Sequence, residues 1–265
     1  EKIMVNQVVK ISHSETNPHI AVVSINRPEN YNSLTAEVMD GLKEAAEKIS
    51  MDSDIRAVIL TGEGGYFCSG ADFSVLQAIQ NENDTNKTRV MGAKAANVCV
   101  AWEAVNQPTI AAIEGGVVGG GLAVAMACDF RVMAEGSYAY VPEVKVGLNF
   151  GMGSLPRLTR LVGPAKAKLM SIFCYQHKAE ECKKWGLADY VTENGKSMDK
   201  ALEMAEEIAA FPRLPVQLIK RGVNVAANAL NPATGYADTE DLILCAKDEE
   251  ATKYRNETIK SIKKK

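Results

Sequence analysis

Long apolar runs, an excess of one charge, paired cysteines and aromatic side chains are all scarce in this 265-residue chain. No uninterrupted apolar stretch reaches the ~18 residues that carry a helix across a bilayer, so no membrane partner is expected. Lys and Arg number 30 against 33 Asp and Glu, a net charge of −3. That balance offers nucleic acid no basic surface through bulk charge. The six cysteines, Cys68, Cys99, Cys128, Cys174, Cys182 and Cys245, form no CxxC pair and share no metal-type spacing with His13, His19 and His177. No metal is therefore expected. Most of these thiols sit in apolar contexts such as MACDF and SIFCY, where free Cys packs as a small hydrophobe, and a reducing cytoplasm is the expected compartment. The opening EKIMVNQVVK reads as neither a secretory signal nor an Arg-rich transit peptide.

With aromatics at only 6% and hydrophobic residues at 46%, the core must be largely aliphatic. QVVKIS, IAVVSI, RAVILTG, TIAAIEG and DFRVMAE read as strands. TAEVMDGLKEAAEKIS reads as a helix capped by Thr35, and TRVMGAKAANVCVAWEAVNQ as a second helix stopped by Pro108. Alternation of the two kinds of segment predicts an α/β fold. From about residue 153 onward the pattern is helical, broken only by LADYV, which predicts a core domain over 1–200 and a C-terminal helical region over 201–265 that covers the core or docks on a neighbour.

Three segments combine features that chemistry uses. GGYFCSGADF (64–73) follows one predicted strand, and the glycines Gly119, Gly120 and Gly121 follow another, where a helix is predicted to start. Bare backbone at such a junction can aim N–H groups at an anionic oxygen, although glycine also serves plain close packing. The third segment, YVPEVKVGLNFGMGSLPRL (140–158), places one carboxylate, Glu143, among apolar neighbours, where a raised pKa is expected. Asp72 doubles as a candidate helix cap.

SINRPENYNSL, RAVILTGEGGYFCSGADF, QPTIAAIEGGVVGGGLAVAMACDFRVMAE, VPEVKVGL, LTRLVGPAKA and AEECKKWGLADYV, in that order and over nearly the whole chain, resemble the crotonase, or enoyl-CoA hydratase/isomerase, superfamily. The resemblance implies a spiral α/β core, with strands in two sheets and a helical C-terminal trimerisation region, assembled as a homotrimer or dimer of trimers. It implies an acyl-CoA substrate whose thioester oxygen accepts N–H groups from Ala71 and Gly120, with Glu143 as the acid-base residue. Coenzyme A enters as part of the substrate, and no separate cofactor is implied. Arg27 and the run Ala71, Asp72, Phe73 and Ser74 fall where relatives line the nucleotide and pantetheine path, and Lys263 to Lys265 offer cations for CoA phosphates. Gly115 and Gly121 are expected to serve packing only.

One departure from the family pattern discriminates between reactions. Hydratases of the family generally carry a second Glu two residues after the glycine run, and this chain has Ala123 there. A single carboxylate suits a proton shuttle between two carbons of an enoyl-CoA, the work of an isomerase, better than the holding of a water for hydration. Isomerisation is the expected reaction, hydration the alternative, and a silent acyl-CoA-binding member a further one.

Overall fold

The structure is a computed structural model that describes residues 3–4, 6–231, 235 and 237–262. Its ten described strands are β1 (Ile3–Met4), β2 (Val9–His13), β3 (Ile20–Ile25), β4 (Ala57–Gly62), β5 (Thr109–Ile113), β6 (Gly116–Val118), β7 (Phe130–Ala134), β8 (Tyr138–Tyr140), β9 (Gln176–Lys178) and β10 (Tyr190–Thr192). Seven form one sheet in the order β1-β2-β3-β4-β5-β7-β10, and β6-β8-β9 form a second. Within the large sheet β3, β4, β5, β7 and β10 pair in parallel, while β1 and β2 are antiparallel additions at one edge.

Parallel strands are covered on both faces, which is why RAVILTG and TIAAIEG carry apolar residues without alternation. Along β4 the pleat sends Val58 and Leu60 into one core and Ala57 and Ile59 into the other. The first core is roofed by α1 (Ala36–Met51), α3 (Thr85–Glu103) and α4 (Gly120–Ala127). The second is roofed by α8 (Ser197–Ala210), whose Ala201, Ala205 and Ala209 recur at one face of the helix and let it approach the sheet closely. The boundary expected at residue 200 thus falls inside a helix that packs on the core sheet.

Local signals set the helix ends. Thr35 Oγ1 accepts the Val38 N–H at 3.2 Å to start α1, and Asp72 caps α2 (Phe73–Asn81) by accepting the Ser74 N–H at 3.0 Å. The second long helix runs from Thr85 instead of Thr88, because Asp84 accepts the N–H groups of Asn86 and Lys87. Beyond α5 (Ser154–Val162), α6 (Pro164–Phe173) and α7 (Ala179–Trp185), the chain closes with α9 (Arg213–Ala227), α10 (Asp238–Lys247) and α11 (Glu249–Ile262). Lys263 to Lys265 lie outside the described residues.

The second sheet corrects one expectation. The glycine run does not follow β5 directly: Gly115, at φ +60°, turns the chain into β6, and β6 leads to the run. β6 also bridges the SGAD segment, with Val118 N–H donating to Cys68 O at 3.0 Å and Cys68 N–H to Gly116 O at 3.2 Å. Two loops distant in sequence are thereby laid side by side.

Candidate active site

The first loop is fixed by Leu34, whose N–H donates to Gly70 O at 2.8 Å and whose carbonyl accepts the Asp72 N–H at 3.0 Å. Between these bonds Ala71 keeps its own N–H free of any acceptor among the described residues. Gly70 sits at φ +91°, and a Cβ there would lie 2.9 Å from Val118 O, so only glycine allows this approach to β6.

The second loop is the glycine run. Gly119 adopts φ +49° and anchors its N–H on Tyr140 O at 2.8 Å. Gly120 opens α4, so its N–H is one of the donors a helix start leaves without an intrahelical partner, and it too has no acceptor among the described residues. A Cβ built on Gly120 would lie 3.8 Å from Ala71 N, which shows how near the two free amides lie. Gly121 belongs to packing: a Cβ there would meet Cys68 Cβ at 2.6 Å. Gly115 is likewise crowded, by Gly65 O at 2.8 Å.

Glu143 follows Pro142 and starts a 3-10 turn, Glu143–Val146. Its carbonyl accepts the Leu148 N–H at 2.9 Å, and its carboxylate faces the glycine run, since a Cβ on Gly119 would stand 2.6 Å from Glu143 Oε1. Although the residue is half-buried as a whole, Oε2 is buried and has no hydrogen-bond partner among the described residues. Burial pushes its pKa up from 4.5 to about 8, and a backbone hydrogen bond opposes this only in part.

Ala71, Gly120 and Glu143 all line one cavity, with about 850 Å³ of empty space including its open mouth. Its remaining wall is mainly apolar, with Leu34, Val75, Leu76, Ile79, Leu148 and Leu242 prominent. Ala123 does not line it; that side chain is fully buried in the core beneath α4. Two free N–H groups beside a protonatable carboxylate can hold an oxygen that gains charge while a neighbouring carbon loses a proton.

Arg27, Asp72, Phe73 and Ser74 stand outside the cavity lining. Arg27 Nη1 donates to Ser33 O and Ser33 Oγ, both at 2.8 Å, and to Asp72 Oδ2 at 3.3 Å, so its charge is already engaged within the chain. Burial raises the Asp72 pKa, yet hydrogen bonds from Ser74, Ser33 and Arg27 outweigh it and hold the carboxyl at about 2. Phe73 and Ser74 are exposed at the start of α2. Among the described residues no group of three or more His, Cys, Asp or Glu is placed to hold a metal ion.

Four polar residues of the cavity wall were not singled out by the sequence reading: Asn149, Asp238, Thr239 and Arg255. Asp238 Oδ2 accepts the Gly153 N–H at 3.0 Å. Arg255 Nε and Nη2 donate to Val146 O at 2.8 Å and Gly147 O at 3.1 Å, clasping the turn that begins with Glu143. Asn149 stands within the quoted YVPEVKVGLNF segment, but Asp238 and Arg255 come from helices distant in sequence, and no local pattern marks them.

Known proteins resemble this chain over most of its length. The profile of the enoyl-CoA hydratase/isomerase family matches residues 15–259. A short-chain-enoyl-CoA hydratase of Clostridium acetobutylicum is 35% identical over 206 residues, 77% of this chain and 77% of that protein. Enoyl-CoA hydratase from Bacillus anthracis superposes with a TM-score of 0.78 at 29% identity, over 97% of this chain and 96% of that one. An enoyl-CoA hydratase/isomerase from Mycobacterium paratuberculosis gives a TM-score of 0.87 at 21% identity, covering 95% and 98% of the two chains, a likeness of fold. With its paired loops, its spiral α/β core and a match over nearly its whole length, this chain belongs to the enoyl-CoA hydratase/isomerase, or crotonase, family.

Proposed function

We propose that the protein is an acyl-CoA enzyme that converts 3-enoyl-CoA to 2-enoyl-CoA through a thioester enolate. The N–H groups of Ala71 and Gly120 receive the thioester oxygen, and the positive end of α4 adds to the field felt by the developing charge. Ionised Glu143 takes a proton from C2, the electrons delocalise into a dienolate, and the protonated acid returns the proton to C4 on the same face. The observation that carries this reading is the absence of a carboxylate two residues after the glycine run: Glu143 Oε2 is buried without a partner among the described residues, that second place is taken by the core residue Ala123, and the other carboxylate of the wall, Asp238, is engaged by the Gly153 N–H. A buried base near neutral pKa is a stronger proton acceptor than an exposed one.

Coenzyme A is part of the substrate, and the chemistry asks for no further cofactor. Phe73 and Ser74, exposed directly after Ala71, are the residues we assign to its pantetheine arm. Arg27 is assigned to hold the loop. Six free cysteines, five of them buried, suit a reducing cytoplasm, and no described helix is long and apolar enough to cross a membrane.

Hydration of 2-enoyl-CoA is the second reading, favoured by the hydratase names of the relatives. Mass-spectrometric assay of 2-enoyl- and 3-enoyl-CoA series in deuterated water separates them. Isomerisation leaves mass unchanged apart from deuterium, hydration adds one water, and binding without turnover identifies a silent acyl-CoA carrier.

A further inference from the structure

Of the buried side-chain nitrogen and oxygen atoms without a partner among the described residues, two belong to residues that line the cavity: Glu143 Oε2 and Asn149 Oδ1. The proton shuttle uses the first. Nothing in that shuttle uses the second. Among the described residues Asn149 makes no side-chain hydrogen bond: the residue is half-buried, its Oδ1 is buried without a partner, and Nδ2 is not among the buried unpartnered atoms. The contrast with Asn32 is informative, because that buried amide is fully employed: Oδ1 accepts the Arg27 N–H at 2.9 Å, and Nδ2 donates to Glu63 O and Tyr66 O. An amide with a purely structural role would bond the backbone groups around it, as Asn32 does. Leaving an amide oxygen buried and unmatched is costly, and such groups are few in folded proteins.

The setting narrows the ligand. Asn149 lies between Leu148, packed with Ile79 and Ala246, and Phe150, packed in the main core, so its neighbours fix the segment where the residue lines the cavity. Around it the wall is aliphatic, and a plain hydrocarbon acyl chain filling that space would strand the carboxamide without a partner. A carboxamide carries both donors and an acceptor, so it matches a hydroxyl or a carbonyl equally well after a flip.

Resting on the acyl-CoA reading above, we propose that Asn149 is a specificity-determining residue that hydrogen-bonds an oxygen on the acyl group beyond the reacting carbons. The preferred substrate is accordingly an oxygenated enoyl-CoA, bearing a hydroxyl or carbonyl, in place of a simple hydrocarbon one.

The test compares two enoyl-CoA thioesters of equal length, one hydrocarbon and one carrying a hydroxyl beyond the double bond, for binding and for kcat/KM. Wild type is expected to favour the oxygenated ester by about tenfold to a hundredfold, the worth of one buried polar group left unmatched. Asn149→Leu, close in shape, should reverse the order by improving the hydrocarbon ester, and Asn149→Thr, which keeps a hydroxyl, should retain part of the preference. Thermal melting of each variant without ligand reports on folding. Equal use of both esters by wild type overturns the inference while leaving the acyl-CoA reading intact. Equal loss of both esters in Asn149→Leu also overturns it, and identifies the amide as the seat of the reacting water. Failure of wild type to bind either thioester overturns the acyl-CoA reading itself, and this inference with it.

Discussion

At the scale of single residues, the proposed reaction rests on Glu143, whose protonation would set the pH behaviour. Because only the ionised form accepts a proton, kcat/KM for a 3-enoyl-CoA should climb with pH and level off above about pH 8, the value burial imposes on this group. Glu143→Gln keeps the shape and removes the acceptor, so turnover should fall by ~10²–10⁴ while thioester binding persists, as equilibrium titration would report. Stability follows the same proton. The folded-state pKa of about 8 stands above the ordinary 4.5, so between those values the unfolded chain gives up a proton that the folded chain keeps. Stability from this group is therefore present below about pH 4.5 and lost as pH rises through 8. Urea midpoints at pH 5 and pH 8 should converge for Glu143→Gln relative to wild type, with the larger drop in wild type.

At the scale of elements, the two loops and the start of α4 act as one device. Gly120→Val would set a Cβ 3.0 Å from Leu34 Cδ1 and 3.2 Å from Met152 Sδ, and its branches would occupy the space beside the free amides. A loss of ~10²–10³ in rate is expected, the typical worth of one donor to a developing oxyanion, in a protein whose circular dichroism is unchanged. How much of this was legible in the sequence depended on how local each cause is. IAVVSI gave β3 residue for residue, and Thr35 and Asp72 marked helix starts, because caps and apolar runs act over a few neighbours. The short strands β6, β8 and β9 were not legible: each has three residues and exists through partners tens of residues away. Ala71, Gly120 and Glu143 were singled out because the family resemblance marked them. Asn149 went unread because its significance lies in what it fails to bond, which no one-dimensional pattern records.

At the scale of the whole molecule, apolar side chains remain on the outside of two helices. Leu214, Leu218, Ile219 and Val223 on α9 are exposed, as are Leu169, Ile172 and Phe173 on α6. Exposed apolar surface of this kind marks association, and we propose that it is covered in a homotrimer or a dimer of trimers. Light scattering at micromolar concentration should give a trimer or hexamer mass, and Leu218→Glu, which introduces a charge at that surface, should shift the mass toward the monomer. A monomeric wild type would count against the assignment.

The clasp between Arg255 and the turn of Glu143 spans 109 residues of sequence at Val146. The large sheet and its two aliphatic cores draw their residues almost entirely from positions up to Ala209, so the scaffold is in hand long before α11 has been made. The turn of Glu143 acquires its clasp only when that late helix docks. Loss of α10 and α11 by proteolysis would consequently leave the sheet and its two cores in place while removing both the clasp on the turn of Glu143 and the wall that Asp238, Leu242 and Arg255 supply: a protein with a folded scaffold and an opened, inactive site.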